Sequence, residues 1–340
     1  MFDLTALRAA HELVAQHVPP TPQYAWPLLN ERVGHDVWVK HENHTRTGAF
    51  KVRGGLVYLD ALMAGALGGA EGAAQGVIGD AKPNGVISAT RGNHGQSIAY
   101  AARAAGLACV IVVPQGNSVE KNAAMRSFGA ELIEAGADFD ESKHIAADIA
   151  RERGLHFVPS FHPALIKGVA TYALELFNAV EALDVVYVPV GLGSGICGLI
   201  TARDLLGLET QIVGVVAEGA PAVALSFEAG QVVPTNSART FADGIACRDP
   251  DPDAMAMIQR GAARIVTVSD AEIAEAVRIY YQDTHNLAEG AGAAPLAGLL
   301  KERAEATHAL GPDGKAAVIL CGGNIDTPLF AKILDGQTPA

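Results

Sequence analysis

Cysteine is scarce in this chain: Cys109, Cys197, Cys247 and Cys321 are the four among 340 residues, and they stand far apart with no C-x-x-C pair. Neither a zinc site nor a disulfide framework is suggested. No apolar run reaches the roughly 20 residues that span a bilayer, and the N-terminus lacks a basic region followed by an apolar stretch. A reducing cytoplasm is therefore the expected setting. Basic side chains are in deficit, 25 Lys and Arg against 37 Asp and Glu, for a formal net charge of −12. That balance argues against nucleic acid or an anionic membrane as partner, and leaves room for a small anionic ligand held by a local positive site. His11, His35, His144, His156, His162, His285 and His308 sit at no metal-ligand spacing, and no internal repeat is found.

What is present describes a compact globular chain: 49% hydrophobic and 18% charged residues, long enough for one large domain or two modest ones. Short β-rich runs alternate with helical stretches. Gly85–Ser88 leads into a helix at Asn93–Ala105, Cys109–Val113 into one at Val119–Phe128, and Glu131–Ile133 into one around Ser142–Arg151. Val37–Val39, Val185–Val188, Ile212–Val216, Ile265–Val268 and Ala317–Leu320 are further continuous apolar runs. Runs apolar on both faces and separated by helices indicate parallel strands covered on both sides, an α/β protein of doubly wound character. Ser269 with Glu272 reads as a capping box. Ala61–Gly79, rich in Ala and Gly, has no clear period and reads as a helix followed by a connection.

Four segments carry chemistry. The first is TRTGAFKVRGG, residues 45–55, which sets Lys51 between an aromatic neighbour and a glycine-rich stretch. An amine held neutral by burial and nearby cations can form a Schiff base with an aldehyde. The second is SATRGNHGQS, residues 88–97, at a strand-to-helix turn, where backbone amides form a ready anion site. On its own it could equally be an ordinary turn capped by Asn93. The third is PVGLGSGICG, residues 189–198, whose Gly193, Gly195 and Gly198 satisfy G-x-G-x-x-G, with Glu218 at the end of the next strand. Those features fit a dinucleotide fingerprint, and hence an NAD-dependent dehydrogenase. They equally fit a loop of backbone N–H groups around a phosphate. The fourth is CGGN, residues 321–324, closing the last strand.

Taken together, and in this order, the segments resemble the fold-type II pyridoxal-phosphate (PLP) enzymes, of the tryptophan synthase β-like fold, and within them the serine/threonine dehydratases and serine racemases. Their lysine pattern is E-x-x-Q-x-T-G-S-F-K-x-R-G. Glu42, Arg46, Thr47, Gly48, Phe50, Lys51, Arg53 and Gly54 are in step with it, while Thr45 and Ala49 depart from it. The resemblance implies two doubly wound α/β domains with the active site between them: residues 1–53 and 163–340 forming a large PLP-binding domain, and 54–162 a small substrate-binding domain. It implies that Lys51 carries PLP and acts as the catalytic base, with Phe50 against the ring and Asn93 beside its 3′-oxygen. Gly191, Leu192, Gly193, Ser194 and Gly195 form the phosphate cup, Cys321 faces the pyridine nitrogen and Glu289 stands near the ring. Thr90, Arg91, Gly92, Asn93 and His94 bind the substrate carboxylate. The lysine segment decides against the dehydrogenase, which has no use for it.

The activity so implied is α,β-elimination from a β-hydroxy amino acid, by default L-threonine or L-serine, to a 2-oxo acid and ammonia. A neutral donor at Cys321 makes a weaker electron sink, which suits elimination. The alternative is a dehydratase for another hydroxy amino acid such as 3-hydroxyaspartate or a catabolic intermediate. A racemase is disfavoured by Arg91, which replaces the serine that moves the second proton. A metal-binding relative resembles E-P-x-x-A-D-D after the strand ending in Glu; here Ala224 replaces the second acid beyond Glu218, so no bound divalent metal is expected. Neither a C-terminal regulatory domain nor any membrane or nucleic-acid partner is expected. Family habit implies a homodimer.

Overall fold

The computed structural model describes residues 2–67, 83–307, 310–311 and 314–339. The part of Ala61–Gly79 beyond residue 67, and His308, lie outside the described residues. The strands are β1 (Gln23–Ala25), β2 (Asp36–His41), β3 (Gly85–Ala89), β4 (Ala108–Val113), β5 (Glu131–Glu134), β6 (His156–Phe157), β7 (Val185–Pro189), β8 (Gln211–Ala217), β9 (Arg264–Val268) and β10 (Lys315–Leu320). The helices used below are α1 (Leu4–Ala15), α2 (Pro27–Val33), α3 (Lys51–Met63), α4 (Asn93–Ala105), α5 (Val119–Ser127), α6 (Phe139–Arg153), α7 (Pro163–Ala179), α8 (Ser194–Leu205), α9 (Ala222–Ala229), α10 (Pro252–Gly261), α11 (Asp270–Thr284) and α12 (Gly290–Ala304).

The chain divides into two compact units. The first contains Ala9–His17 and Lys51–Gly168; the second contains Phe2–Arg8, Val18–Phe50 and Val169–Ala340. In the first, four parallel strands lie in the order β5-β4-β3-β6. Ile87, Ala89, Val110 and Val112 from its central strands are buried against Ala146 and Ala150 of α6. Burial of β3 along its whole length explains its continuous apolar run: helices cover both faces, so neither face can be polar.

In the second unit the order is β1-β2-β10-β7-β8-β9, parallel except for the short β1, which pairs antiparallel with β2. β7 is buried throughout, and β8 everywhere except Gln211. The Ser269–Glu272 capping box opens α11 as its spacing predicts, with both reciprocal bonds formed.

Both sheets reverse direction of growth once. In the first, the chain runs β3, β4, β5 outward and then places β6 on the other side of β3. In the second it runs β7, β8, β9 outward and then places β10 on the other side of β7. In open parallel sheets the crevice at such a switch point, beyond the carboxyl ends of the strands, is where ligands bind. Thr90–Gly92 follow β3, Val190–Gly193 follow β7, and Cys321–Asn324 follow β10. Three of the four chemical segments thus leave the strands that flank the two switch points. The fourth leaves β2, beside β10.

Candidate active site

In the second unit, backbone bonds weld the segment before Lys51 to the end of β10. Phe50 N–H donates to Cys321 C=O at 2.9 Å, Gly323 N–H to Gly48 C=O at 2.9 Å, and Asn324 Nδ2 to Thr47 C=O at 2.8 Å. Ala49 and Gly322 form an antiparallel bridge. Gly48 has φ +67°, a left-handed conformation that disfavours any side chain. Glu289 joins the same cluster: its N–H donates to Gly322 C=O at 3.1 Å, and its Oε1 lies so close to Gly322 that a Cβ there would be 2.4 Å away. Glu289 is only 5% exposed, and its side chain forms no cap bond at the start of α12.

Phe50 connects this cluster to the glycine loop. Its ring meets Tyr172 edge-on at 6.0 Å between centroids, and the Tyr172 hydroxyl donates to Gly195 C=O at 3.3 Å. Gly193, φ +98°, is the N-cap of α8, and Ser194 is the first residue of the helix. The first amides of a helix have no partner within it and carry its positive dipole end. Residues 191–195 therefore offer converging N–H groups to an anion. The third glycine of the pattern has a different job: a Cβ on Gly198 would lie 3.1 Å from Ala170 N, so it permits close packing of α8 on α7. Cys321 is buried behind the cluster. Tyr280, fully buried with no partner for its hydroxyl among the described residues, has its pKa raised by burial and then by Cys321.

In the first unit, Lys51 is the first residue of α3, half-buried, and its C=O accepts from Ser97 Oγ of α4 at 2.6 Å. Thr90 Oγ1 accepts from Gly92 N–H at 3.0 Å and Gly95 N–H at 3.2 Å, which folds the loop onto the start of α4. Asn93 does not cap this helix; Gly92 is the N-cap, no side chain bonds there, and Asn93 is the first helical residue, half-buried. His94 is buried, and its pKa is lowered to about 3 by burial and then by the charge of Lys51. Its imidazole is neutral at working pH, and its Nε2 has no partner among the described residues. Arg91 is exposed, and no acid is bonded to it among the described residues.

Phe50, residues 191–195, Glu289 and Cys321 are thus brought together in one unit, and Lys51 with Thr90–His94 in the other. Tyr172, which ties the first group together, carries no local motif and escapes a reading by segments. The end of β8 is built differently from a divalent-metal site. Glu218 is exposed, and the Lys301 ammonium stands 3.5 Å from its Oε1 while donating to Thr267 C=O at 2.9 Å.

The family described as pyridoxal-phosphate dependent enzyme matches residues 14–322. The chain belongs to this family. Within it the protein is a fold-type II lyase of the threonine/serine dehydratase kind. It is 32% identical over 336 residues to an L-threonine ammonia-lyase of Geobacter sulfurreducens, covering 98% of this chain and 79% of that one. It is 31% identical over 320 residues to a beta-hydroxyaspartate dehydratase of Paracoccus denitrificans, covering 94% and 95%. The fold superposes on threonine deaminase isoform 2 of Solanum lycopersicum with a TM-score of 0.84 at 26% identity, over 98% of this chain and 94% of that one. Biosynthetic threonine dehydratases are matched over 56% and 52% of their length, so the lyase spans about half of those proteins. The residues present suit PLP: the amide-lined start of α8 fits its phosphate, the apolar Phe50 ring a stacked pyridine, and Lys51 its aldehyde. The dinucleotide reading of the glycine pattern falls with this assignment. Among the described residues no helix is long and apolar enough to cross a membrane.

Proposed function

We propose that the lyase eliminates water from a β-hydroxy amino acid, threonine or serine by default, releasing a 2-oxo acid and ammonia. The observation that carries this reading is the bond from Phe50 N–H to Cys321 C=O. It fixes the residue before Lys51 on the strand end whose thiol would face the pyridine nitrogen, with the Glu289 carboxylate alongside. The names of the relatives support it: L-threonine ammonia-lyase and beta-hydroxyaspartate dehydratase. When bound, PLP withdraws electrons from the substrate's α-carbon and so acidifies its proton.

The protein's own residues do the rest. Residues 191–195 hold the phosphate with backbone N–H groups at the start of α8, and Phe50 packs against the ring. Asn93, on the first turn of α4, contacts the 3′-oxygen. Lys51 would anchor the cofactor through Nζ, and the same atom would receive the substrate's α-proton. Thr90, Gly92 and His94 shape the carboxylate loop, with Thr90 Oγ1 holding its amides in place. His94, kept neutral beside Lys51, adds no second positive charge to compete with that proton transfer. A neutral Cys321 thiol leaves the pyridine nitrogen without an acid, which favours elimination over reactions needing a longer-lived carbanion.

The test is to incubate the PLP-loaded protein with a panel of hydroxy amino acids, assay 2-oxo acid and ammonia, then reduce with borohydride and map peptides. Product from at least one substrate and a pyridoxyl group on Lys51 are expected; no product from any of them, or label elsewhere, would sink the reading. We also infer a homodimer in the cytoplasm. Exposed Tyr24, Leu28, Tyr281 and Leu334 on the second unit support the first, and four buried free cysteines the second. Light scattering behind size exclusion checks the dimer.

A further inference from the structure

We propose that Tyr172 is a positioning residue for PLP: its hydroxyl strengthens the phosphate-binding start of α8, and its ring sets the Phe50 ring that packs against the pyridine. This rests on the PLP site proposed above and deepens it. Three side chains of the second unit converge on one glycine. A Cβ built on Gly195 would lie 3.6 Å from Val188 Cγ2, 3.7 Å from the Tyr172 hydroxyl oxygen and 3.8 Å from Phe50 Cζ. Tyr172 is 1% exposed, its ring meets Phe50 edge-on, and its hydroxyl donates to Gly195 C=O at 3.3 Å. Burying a phenol is costly unless its hydroxyl is bonded. A leucine would fill the same apolar space without that demand, so the hydroxyl calls for a reason of its own.

The reason lies in the peptide group it bonds. Gly195 is the second residue of α8, and its C=O shares a planar peptide unit with Ile196 N–H. That N–H belongs to the first turn, where amides have no partner within the helix and favour an anion. Hydrogen bonds in a chain polarise one another by about 10–30% per bond. A donor on the C=O therefore makes the N–H of the same unit a stronger donor, and the hydroxyl supports the phosphate without touching it. Tyr172 is itself held from both sides along α7. Glu175, one turn further on, accepts from Lys40 Nζ at 2.7 Å and from Thr21 N–H at 3.3 Å. Lys40, fully buried on β2, also donates to Thr21 C=O at 2.7 Å. In the preceding turn, Ala170 packs on Gly198 of α8 so closely that a Cβ there would lie 3.1 Å from its nitrogen. A phenol anchored in this way stays aligned on Gly195 while ligands come and go.

The parent, Tyr172→Phe and Tyr172→Leu are each loaded with PLP or with pyridoxal, which has the same ring and aldehyde but no phosphate. Release of the bound aldehyde is followed by its absorbance after dilution into a trapping amine. Tyr172→Phe keeps the ring and removes only the hydroxyl. It should release PLP about fivefold faster and pyridoxal at the parent's rate. The phosphorus NMR resonance of bound PLP should move as well, because the amide unit at the phosphate loses its polarising donor. Tyr172→Leu should release both aldehydes faster, since Phe50 also loses its edge contact. Tyr58→Phe is the control, its hydroxyl being bonded to His156 Nε2 at 2.8 Å in the first unit. It should lower the melting temperature and leave both the ratio of the two release rates and the phosphorus resonance unchanged. If Tyr172→Phe speeds both releases equally, or leaves PLP release and the phosphorus resonance at the parent's values, Tyr172 is packing alone and the proposal is overturned. If the parent itself releases PLP no more slowly than pyridoxal, the phosphate cup at residues 191–195 fails, and the proposal fails with it.

Discussion

The cluster around Phe50 and Cys321 and the loop Thr90–His94 are built to opposite rules. In the first, backbone groups are committed to one another: Phe50 to Cys321, Gly323 to Gly48, Glu289 to Gly322, with Asn324 closing the turn at Thr47. In the second, Thr90 Oγ1 and Gly92 C=O are committed, while His94 Nε2 and Gln96 Nε2 are buried with no partner among the described residues and Arg91 is exposed. A cofactor is the same molecule in every turnover, so its cradle gains from rigidity fixed during folding. A substrate loop must leave donors unspent for a ligand that comes and goes.

Changes that break the contrast should have the largest effects where the two regions meet the reaction. Lys51→Ala removes both the anchor and the base. The elimination rate should fall by at least about 10³-fold and the absorbance of bound PLP should be lost. A variant that keeps substantial rate under stopped assay would place the base elsewhere.

Loosening the committed cluster comes next. Gly48→Ala adds a side chain at φ +67° and puts its Cβ 2.4 Å from Asn324 Oδ1, on a side chain already held by Thr47 C=O. The backbone strain alone costs about 1–3 kcal/mol. The melting temperature should drop by several degrees and PLP should dissociate more readily, both measurable by thermal shift with and without added cofactor. A matching change at an exposed, open position, Gly154→Ala with φ +62° and nothing within 4 Å, should cost backbone strain without weakening PLP binding.

The open loop should reveal itself through pH. His94 titrates near 6.5 when exposed and near 3 in the fold, mainly through burial and then through Lys51. Between those values the unfolded chain binds the extra proton, so stability falls as pH is lowered through that window and is fully regained above about 6.5. One such group contributes at most about 1.4 kcal/mol per pH unit. His41, buried in the other unit and titrating near 3 for the same first reason, adds to the same slope. Lowering the pH from 7 to 5 should therefore depress the melting temperature, and His94→Gln should depress it less. An unchanged pH slope in His94→Gln would mean that this imidazole is protonated in the fold.

Much of this contrast was legible in the sequence, for physical reasons. Strands buried on both faces have to be apolar throughout, so β3, β7, β8 and β10 stand out as runs, and the strand-turn-helix positions of Lys51, Asn93 and Gly193 follow from them. Ser269 and Glu272 act over three residues and could be read locally. Tyr172 could not, because it acts across more than about 20 residues of chain on a backbone oxygen with no pattern of its own, and the bond from Asn324, the last residue of CGGN, to Thr47 C=O was equally silent. The short β1, Gln23–Ala25, is only partly buried and paired on one side, so it lacks the apolar signature of the buried strands.

A racemase requires proton transfer on both faces of the substrate's α-carbon. The resemblance sets Arg91 in the place of a racemase's serine, and a guanidinium stays protonated at working pH. No measurable racemisation of serine or threonine is expected during elimination, followed by chiral chromatography of the remaining substrate. Arg91→Ser should allow slow racemisation if loop position alone decides the outcome; racemisation by the parent would refute the argument.

The smallest effect is expected at the end of β8, far in sequence from both regions. Ala224 supplies no carboxylate there, and the Glu218 carboxylate already faces the Lys301 ammonium, which also lies 3.6 Å from Glu272 Oε2. The same ammonium donates to Thr267 C=O. Treatment with EDTA, with or without Mg²⁺ added back, should leave the elimination rate unchanged. Lys301→Met removes that ammonium while keeping most of the side chain. Because the pair with Glu218 is more than half exposed on the acid side, its loss should cost under about 1 kcal/mol. If chelation instead slowed the parent several-fold and Mg²⁺ restored it, other oxygens would have to complete a metal site. If only Lys301→Met became Mg²⁺-responsive, the lysine would be confirmed as the occupant of a cation's place.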